Sequence, residues 1–369
     1  MKKKYLLLRW IIGLLFIFSG LIKANDPLGL SYKMQEFFEV WGLTGLHGIT
    51  LPLSIIMNVF EVAAGVAVIL GWRMRLFSWL LLLLIIFFTF LTGYAHLSGK
   101  IKTCGCFGDC IPLTSLTSFI KDLILLVLIV FLFINRNRID SKLSTPFPQV
   151  IILLVVAGTF SLQWYALNYL PVMDCLPYKK GDNLIRNMQL PEGAVSDSFL
   201  LTFKYEKNGQ IVEFSNNDFP EDFDDSYKFI ERGQKLIRKG TALPKITDFS
   251  LQTTDGTDVT NQVLETNGRY LLLFALDLST YDKWHNERFE QILQLSREKH
   301  IPFYFVTADK QNAERLLGEV EGIQILSCDG VVIKTAARVN PTYFIMNGPV
   351  VHEKFSYKQA EEVVERLLH

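Results

Sequence analysis

Cysteine is scarce in this chain, five residues in 369, and no two of them stand in Cys-x-x-Cys spacing. The spacing on which dithiol enzymes and most zinc clips are built is therefore missing. Histidine is equally thin at six residues. His285, His300 and His352 are scattered, with no nucleophile-base-orienter pattern and no Gly-rich phosphate loop, so hydrolase and nucleotide-binding motifs are not signalled. No long basic run and no basic patch interleaved with aromatics occurs, which sets nucleic-acid partners aside. Net charge is also absent, but the zero is a sum over unlike halves. Residues 1–170 hold 14 Lys and Arg against 7 Asp and Glu, and residues 171–369 hold 23 against 30. Two different environments are implied.

What the first half has is long apolar runs. Stretches of about 18 or more such residues predict membrane spans, here at 5–23, 51–71, 75–97, 116–135 and 148–170. Five spans put the termini on opposite sides. Lys2-Lys3-Lys4, Arg73 with Arg75, and Arg136, Arg138 and Lys142 then share one face, which the positive-inside rule makes cytoplasmic. "LIKANDP" offers no small-x-small cleavage site after the first span, so that span is read as a retained anchor. The expected placement is a multi-pass protein of a bacterial inner membrane, N-terminus cytoplasmic and C-terminal region periplasmic, with the lipid bilayer as its first partner.

Between the first two spans, Leu30, Met34, Phe37, Phe38 and Trp41 recur at helical spacing and predict a helix in the outer interface. "LPVMDCLPYKKGDN" reads as an outer linker. Residues 198–215 alternate apolar and polar around Asn208-Gly209, a hairpin signal, and the acidic "NNDFPEDFDDSYKF" after it reads as a solvated loop. From about 238, short buried strands alternate with amphipathic helices, an α/β pattern. The fold class expected is an all-α transmembrane helical bundle, four helices plus a fifth span, followed by an α/β soluble domain. The boundaries are 1–145 for the bundle, 146–180 for the fifth span and linker, 181–237 for a small hairpin-containing region and 238–369 for the α/β domain.

Three of the five cysteines fall within "CGCFGDC", residues 104–110, on the outer face where disulfides persist. One reading is a redox relay: Cys104 and Cys106 as the exchanging pair, Cys110 as a resolving thiol, and Lys100 and Lys102 lowering thiol pKa values. A second is a structural staple, for example Cys106 to Cys110, with Cys104 free or paired to Cys175. A metal is not assigned, because Cys-x-Cys-x3-Cys lacks the usual zinc pairing and His96 is the only imidazole nearby. Cys175, just after the fifth span, makes an even set of four that allows three pairings. Cys328 reads as a small core residue.

Glu61 falls in the middle of the second span, where a charge needs a partner or a role. Asn58, Glu61 and Gly65 share a helical face. Arg9, on a face with Gly13 and Gly20, is expected to bend toward that depth. Glu61, Asn58 and His96 are candidates for a quinone head-group or proton site that would accept electrons from the thiols; the competing reading is a structural glutamate fixing helix register. Lys121 and Asp122, adjacent in sequence, are not expected to face each other, Asp122 serving the helix N-terminus. Lys23 is expected to snorkel outward.

Two resemblances add to this. "LPKITDFSLQTTDGTDVT", "RYLLLFALDLSTYDKW" and "ARVNPTYFIMNGPVV" resemble segments of periplasmic thioredoxin-like oxidoreductases. That implies a thioredoxin-like fold, a cis peptide before Pro341 and a partner-binding surface around Ser279, Tyr281 and Pro341. Ser279-Thr280-Tyr281-Asp282 stands where such enzymes carry Cys-x-x-Cys, and serine and aspartate exchange no thiols. "RWIIGLLFIFSGLIKANDP", "FEVAAGVAVILGW" and "CGCFGD" resemble the MauE family of membrane proteins, related to DoxX-like proteins, and the fusion of both parts resembles DoxX family proteins of Bacteroides-type bacteria. This implies disulfide formation in an exported protein partner. The residues leave two functions open: thiol-disulfide exchange through the loop cysteines with a membrane quinone behind them, or a non-catalytic anchored binding protein with structural disulfides.

Overall fold

The computed structural model describes residues 2–369 except 102, 104, 140–145, 196–197, 208, 216–217, 221–222, 225, 239 and 241. Five of its helices are long and apolar enough to cross a membrane. They are α1 (Lys2–Asn25), α3 (Thr50–Leu70), α4 (Met74–Ser98), α5 (Ser115–Ile134) and α6 (Phe147–Tyr169), with α2 (Pro27–Val40) between the first two. Ile12 and Phe16 of α1, Ala64 and Val68 of α3, Leu81 and Ile85 of α4, and Leu125 and Ile129 of α5 close one shared core. Leu83, Phe90, Val127, Ile134 and Leu153 point outward and exposed, the arrangement that suits lipid rather than water.

Small residues let α1 and α3 meet backbone to backbone. A Cβ on Gly13 would stand 2.7 Å from Gly65 O, and one on Gly65 would stand 2.6 Å from Gly13 O, so both positions require glycine. Arg9 lies at the other end of this seam from Glu61. Its Nε donates to Val68 O at 2.8 Å and its Nη2 to Ile69 O at 2.5 Å, adding donors to carbonyls of the last turn of α3, where the helix runs out of amides; Val68 O also accepts from Gly71 N at 3.1 Å. The expected approach of Arg9 to Glu61 is therefore corrected.

Helix α2 starts at Asp26, whose carboxylate accepts from Gly29 N at 3.0 Å, with Pro27 at the first helical position. Ser54 Oγ donates to Pro27 O at 2.7 Å, which fixes α2 to the start of α3. Its far end reaches α4 through Phe37 packed with Ala95 and Ile101, and through Trp41 against Phe90 and Tyr94. It thus crosses the end of the bundle that carries the cysteine loop.

Beyond α6, a short helix α7 (Leu184–Met188) precedes a three-stranded antiparallel sheet of β1 (Ser198–Lys207), β2 (Gln210–Ser215) and β3 (Lys228–Arg238), in the order β2-β1-β3. Among the described residues the stretch expected as a solvated loop is irregular and largely exposed, and it also sends Phe219, Phe223 and Tyr227 back onto Tyr205 and Phe214. Its acidic residues hid an aromatic spacing that can cover a sheet face. The remaining elements are α8 (Thr260–Leu264), β4 (Arg269–Ala275), α9 (Tyr281–Trp284), α10 (Glu287–Glu298), β5 (Phe303–Thr307), α11 (Lys310–Leu317), β6 (Gln324–Ser327), α12 (Gly330–Ala336), β7 (Thr342–Asn347), β8 (Val350–Ser356) and α13 (Ala360–Leu368). They form a five-stranded sheet in the order β6-β5-β4-β7-β8. β4, β5 and β6 run parallel, while β7 is antiparallel to both β4 and β8.

Phe289, Leu293, Val363 and Leu367 of α10 and α13 cover one face of this sheet. Ile333 and Ala336 of α12 cover the other, together with Tyr178 from the linker and Leu184 of α7. The linker thus packs with the α/β core, and Asn183 bridges to Val350. The domain is seated on the bundle by Arg338 to Asp26 and Asp109, by Lys354 to Asp174 at 2.6 Å, and by the disulfide Cys110–Cys175.

Candidate functional site at the cysteine loop

The loop between α4 and α5 turns at two glycines with left-handed backbone, Gly105 at φ 65° and Gly108 at φ 56°. A side chain there would be strained, and on Gly105 it would also press on Lys33. Gly108 N donates to Gly105 O at 3.0 Å, closing a tight turn around Cys106 and Phe107. Cys106 carries a free thiol and lines an apolar cavity of about 100 Å3 inside the bundle. Phe37 and Phe38 of α2, Trp41 just after it, and Phe87 and Phe88 of α4 are among its walls.

Two ion pairs stand in the same cavity lining. Lys23 Nζ lies 2.5 Å from Glu61 Oε1, and both side chains are buried. Lys121 Nζ lies 2.6 Å from Asp122 Oδ1, and the buried Asp122 also accepts from Thr92 Oγ1 at 3.1 Å. The Ser19 hydroxyl is 3.0 Å from both Glu61 Oε2 and Cys106 O, one proton facing two acceptors. It links the ion pair to the cysteine backbone. The two ammonium groups also sit over rings, Lys23 above Phe88 at 5.0 Å and Lys121 above Phe107 at 5.2 Å, contacts that strengthen as water is excluded. Burial pushes the Cys106 thiol up; Lys121 and Lys23 oppose this, Asp122 adds to it and the Ser118 hydroxyl favours the thiolate.

Several expectations change here. Lys23 does not snorkel, because Glu61 gives it a partner that is unreachable from the interface. Lys121 and Asp122 do pair, since a long lysine side chain can fold back on its neighbour, and Asp122 faces Thr92 rather than the helix N-terminus. Glu61 reaches the cavity, but Asn58 and His96 do not line it. Asn58 Nδ2 donates to Gln163 Oε1 at 3.0 Å and so ties α3 to α6. His96 is exposed in the last turn of α4. The cations acting on Cys106 are Lys121 and Lys23; Lys100 is exposed, and Lys102 lies outside the described residues.

Cys104 also lies outside the described residues. Cys110 is bonded to Cys175 with the Cα atoms 4.8 Å apart, so the suggested Cys106–Cys110 staple does not form and Cys110 is not a free resolving thiol. The loop and the linker are brought together by the seating of the soluble domain, which sequence does not rank. Cys328 is free and buried, its thiol pushed up to about 12 by burial. Among the described residues no three His, Cys, Asp or Glu side chains stand together as a metal site.

In the α/β domain the peptide Asn340–Pro341 is cis and Pro341 is buried. Ser279 is exposed, with its N and Oγ on Asp277 Oδ1 at 2.9 and 2.5 Å. Tyr281 stacks on His285 at 4.6 Å. Thr280 Oγ1 donates to Asn340 O at 3.4 Å, so the loop after β4 and the cis-proline loop do meet. No cysteine is among these residues. Sequence reasoning missed Arg338, three residues before that proline, which is 5 % exposed and lies 2.8 Å from Asp26 and 2.7 Å from Asp109. It missed Ser19, Lys23, Lys121, Asp122 and Thr92 as a set as well. The available signal was charge balance: two buried acids on two spans, each matched by one lysine near the same end.

Residues 1–135 match the family described as methylamine utilisation protein MauE, and residues 199–239 match one described as a domain of unknown function. Protein TlpB of Flavobacterium psychrophilum is 31% identical over 147 residues, 38% of this chain and 40% of the relative. The chain thus spans about two fifths of the length of that curated relative. No solved structure matches it. The molecule is a multi-pass membrane protein whose residues 1–135 are MauE-like, its apolar helices suited to a lipid bilayer, with a C-terminal thioredoxin-like region.

Proposed function

We propose that this chain performs thiol-disulfide exchange that matures disulfides in an extracytoplasmic protein partner, with Cys104 and Cys106 as the redox pair and a membrane quinone as electron acceptor. The observation that carries this is the free Cys106 in the wall of an apolar cavity that also receives two ion pairs, one buried and one partly buried. In this reading the bundle lies in a bacterial inner membrane with its cysteine end periplasmic. Arg73, Arg75, Arg136 and Arg138 flank the opposite helix ends, as the positive-inside rule asks.

The cavity's chemistry suits a quinone ring. Phe37, Phe38, Trp41, Phe87 and Phe88 offer flat apolar faces, and about 100 Å3 admits a single ring rather than a folded lipid. Lys23 and Lys121 are the donors a carbonyl oxygen would take, each held in place by its carboxylate partner, Glu61 or Asp122. A quinone supplies the two-electron oxidant. Oxidation of the Cys104–Cys106 pair releases two electrons and two protons, which leave as hydroquinone, and the resulting disulfide is passed on by exchange.

A second reading, an anchored binding protein, is favoured by one observation: Ser279 and Asp282 stand where thiols would be needed in the thioredoxin-like region. The test uses the full chain in lipid nanodiscs, with dithiothreitol as donor and decylubiquinone as acceptor, followed by quinone absorbance. Saturable reduction that falls a hundredfold or more in Cys106→Ser is the expected result. A rate equal to protein-free nanodiscs, unchanged by Cys106→Ser, sinks the exchange reading in favour of the binding protein.

A further inference from the structure

Cys175 of the disulfide Cys110–Cys175 lines a second cavity. This one holds about 440 Å3 between α2 and α12, and its lining includes Cys175, Asp109, Tyr32, Lys334 and Lys245. Lys33 lines both cavities, so they adjoin at the cysteine loop. Their chemistry differs. The inner cavity is apolar and small, with no room for a polypeptide; the outer one is larger, lined by more charged side chains, and framed by the bundle on one side and the soluble domain on the other. Both sulfur-bearing residues of the disulfide are only half-buried. Among the described residues Lys245 and Lys334 form no ion pair, and Lys334 stands over the Tyr32 ring at 5.3 Å. Cations without an acidic partner in the cavity that Cys175 lines favour an entering thiol as its thiolate, the attacking form, against the acids Asp109, Glu36 and Glu39 of the same lining. Cys175 also lies beyond the residues that match the MauE family.

We propose that Cys110–Cys175 is the substrate-side exchange disulfide, and that the outer cavity receives a cysteine-bearing segment of a reduced extracytoplasmic protein. This deepens the exchange reading above and rests on it. The partner's thiolate attacks Sγ of Cys175, forming a mixed disulfide and releasing Cys110 as thiolate. The partner's second thiolate then attacks its own mixed-disulfide sulfur, closing the partner's disulfide and releasing Cys175. Net, one partner dithiol becomes a disulfide while Cys110–Cys175 becomes two thiols. Those two thiols reduce a Cys104–Cys106 disulfide by a second exchange, and the two electrons and two protons pass from that pair to the quinone.

The experiment uses the full chain in nanodiscs and a synthetic peptide with one reduced cysteine, which can form but not resolve a mixed disulfide. Peptide mapping by mass spectrometry of the wild-type chain is expected to find the adduct on Cys175. An adduct on Cys106, or none on Cys175, overturns the proposal. In parallel, the double variant Cys110→Ser, Cys175→Ser is tested with a two-cysteine version of the peptide. Peptide oxidation should fall a hundredfold or more while dithiothreitol-driven quinone reduction persists. Peptide oxidation at the wild-type rate in this variant also overturns the proposal. Should the variant lose both activities, the wild-type adduct decides, since it does not depend on the variant folding. Loss of quinone reduction in the wild type is a failure of the exchange reading instead, and is seen separately.

Discussion

The ammonium of Lys23 lies 2.5 Å from Oε1 of Glu61, joining α1 to α3 where the lysine is 3 % and the glutamate 0 % exposed. Neither charge reaches water, so each is tolerable only through the other. Lys23→Met leaves the carboxylate uncompensated and is expected to destabilise the bundle by roughly 3–5 kcal/mol. The double variant Lys23→Met, Glu61→Leu should recover most of that loss. Thermal unfolding of the full chain in detergent checks both; a single variant as stable as wild type contradicts the charged pair.

Gly65 meets the backbone of α1 with no space for a side chain. Gly65→Leu should cost about 1–3 kcal/mol or more through forced separation of α1 and α3. Gly158, in the middle of α6, has nothing within 4 Å of a built Cβ, so Gly158→Ala should be neutral or slightly stabilising. Equal effects of the two substitutions would remove the close seam as their cause.

Arg338 joins the thioredoxin-like region to the α1–α2 turn and to the cysteine loop at once. Arg338→Ala removes hydrogen bonds to two carboxylates, each worth about 1.5–3 kcal/mol when charged, the one to the half-exposed Asp109 being worth less. Amide exchange over Asp26–Val40 and 105–110 should quicken tenfold or more. Lysine cannot fork to two acceptors as guanidinium does, so Arg338→Lys should restore protection at only one of the two segments.

Cys328 and Cys106 are both free but should differ in reactivity. Burial pushes Cys328 up to about 12, so at pH 7.5 its thiolate fraction is about a thousandfold below that of an ordinary cysteine. Iodoacetamide should modify Cys106 first and reach Cys328 only in denaturant. Early alkylation of Cys328 in the folded chain would contradict its placement under α12.

Glu353 carries a pH dependence of known sign. Burial raises its carboxyl, but Lys180 and Arg366, at 2.9 Å each, outweigh that and hold it below the ordinary value of 4.5. A depressed carboxyl adds stability that is fully present above the unfolded value and is lost as pH falls through the folded one. Glu353→Gln should therefore lower the melting temperature at pH 7 but make little difference well below pH 4.5. A deficit that is constant from pH 7 into that acid range would remove the linkage.

The sequence by itself determined what one-dimensional patterns can hold. Apolar runs of fixed length mark five helices because a bilayer sets their span, and short buried strands between amphipathic helices mark an α/β layer, to which only the resemblance of whole segments adds the thioredoxin-like fold. The glycines of α1 and α3, the charge in the middle of the second span and the cysteine cluster were all legible as positions that need a reason. Partner choice was not legible. Lys23 looked free because Glu61 is 38 residues away in sequence, and Asn58 looked like a cavity residue because its face toward Gln163 depends on where α6 packs. The pairing of Cys110 with Cys175 closes 65 residues and could be decided only by the docking of the soluble domain through Arg338. Burial converts isolated charges and thiols into pairs, and which pair forms is a matter of three-dimensional proximity that no spacing along the chain records.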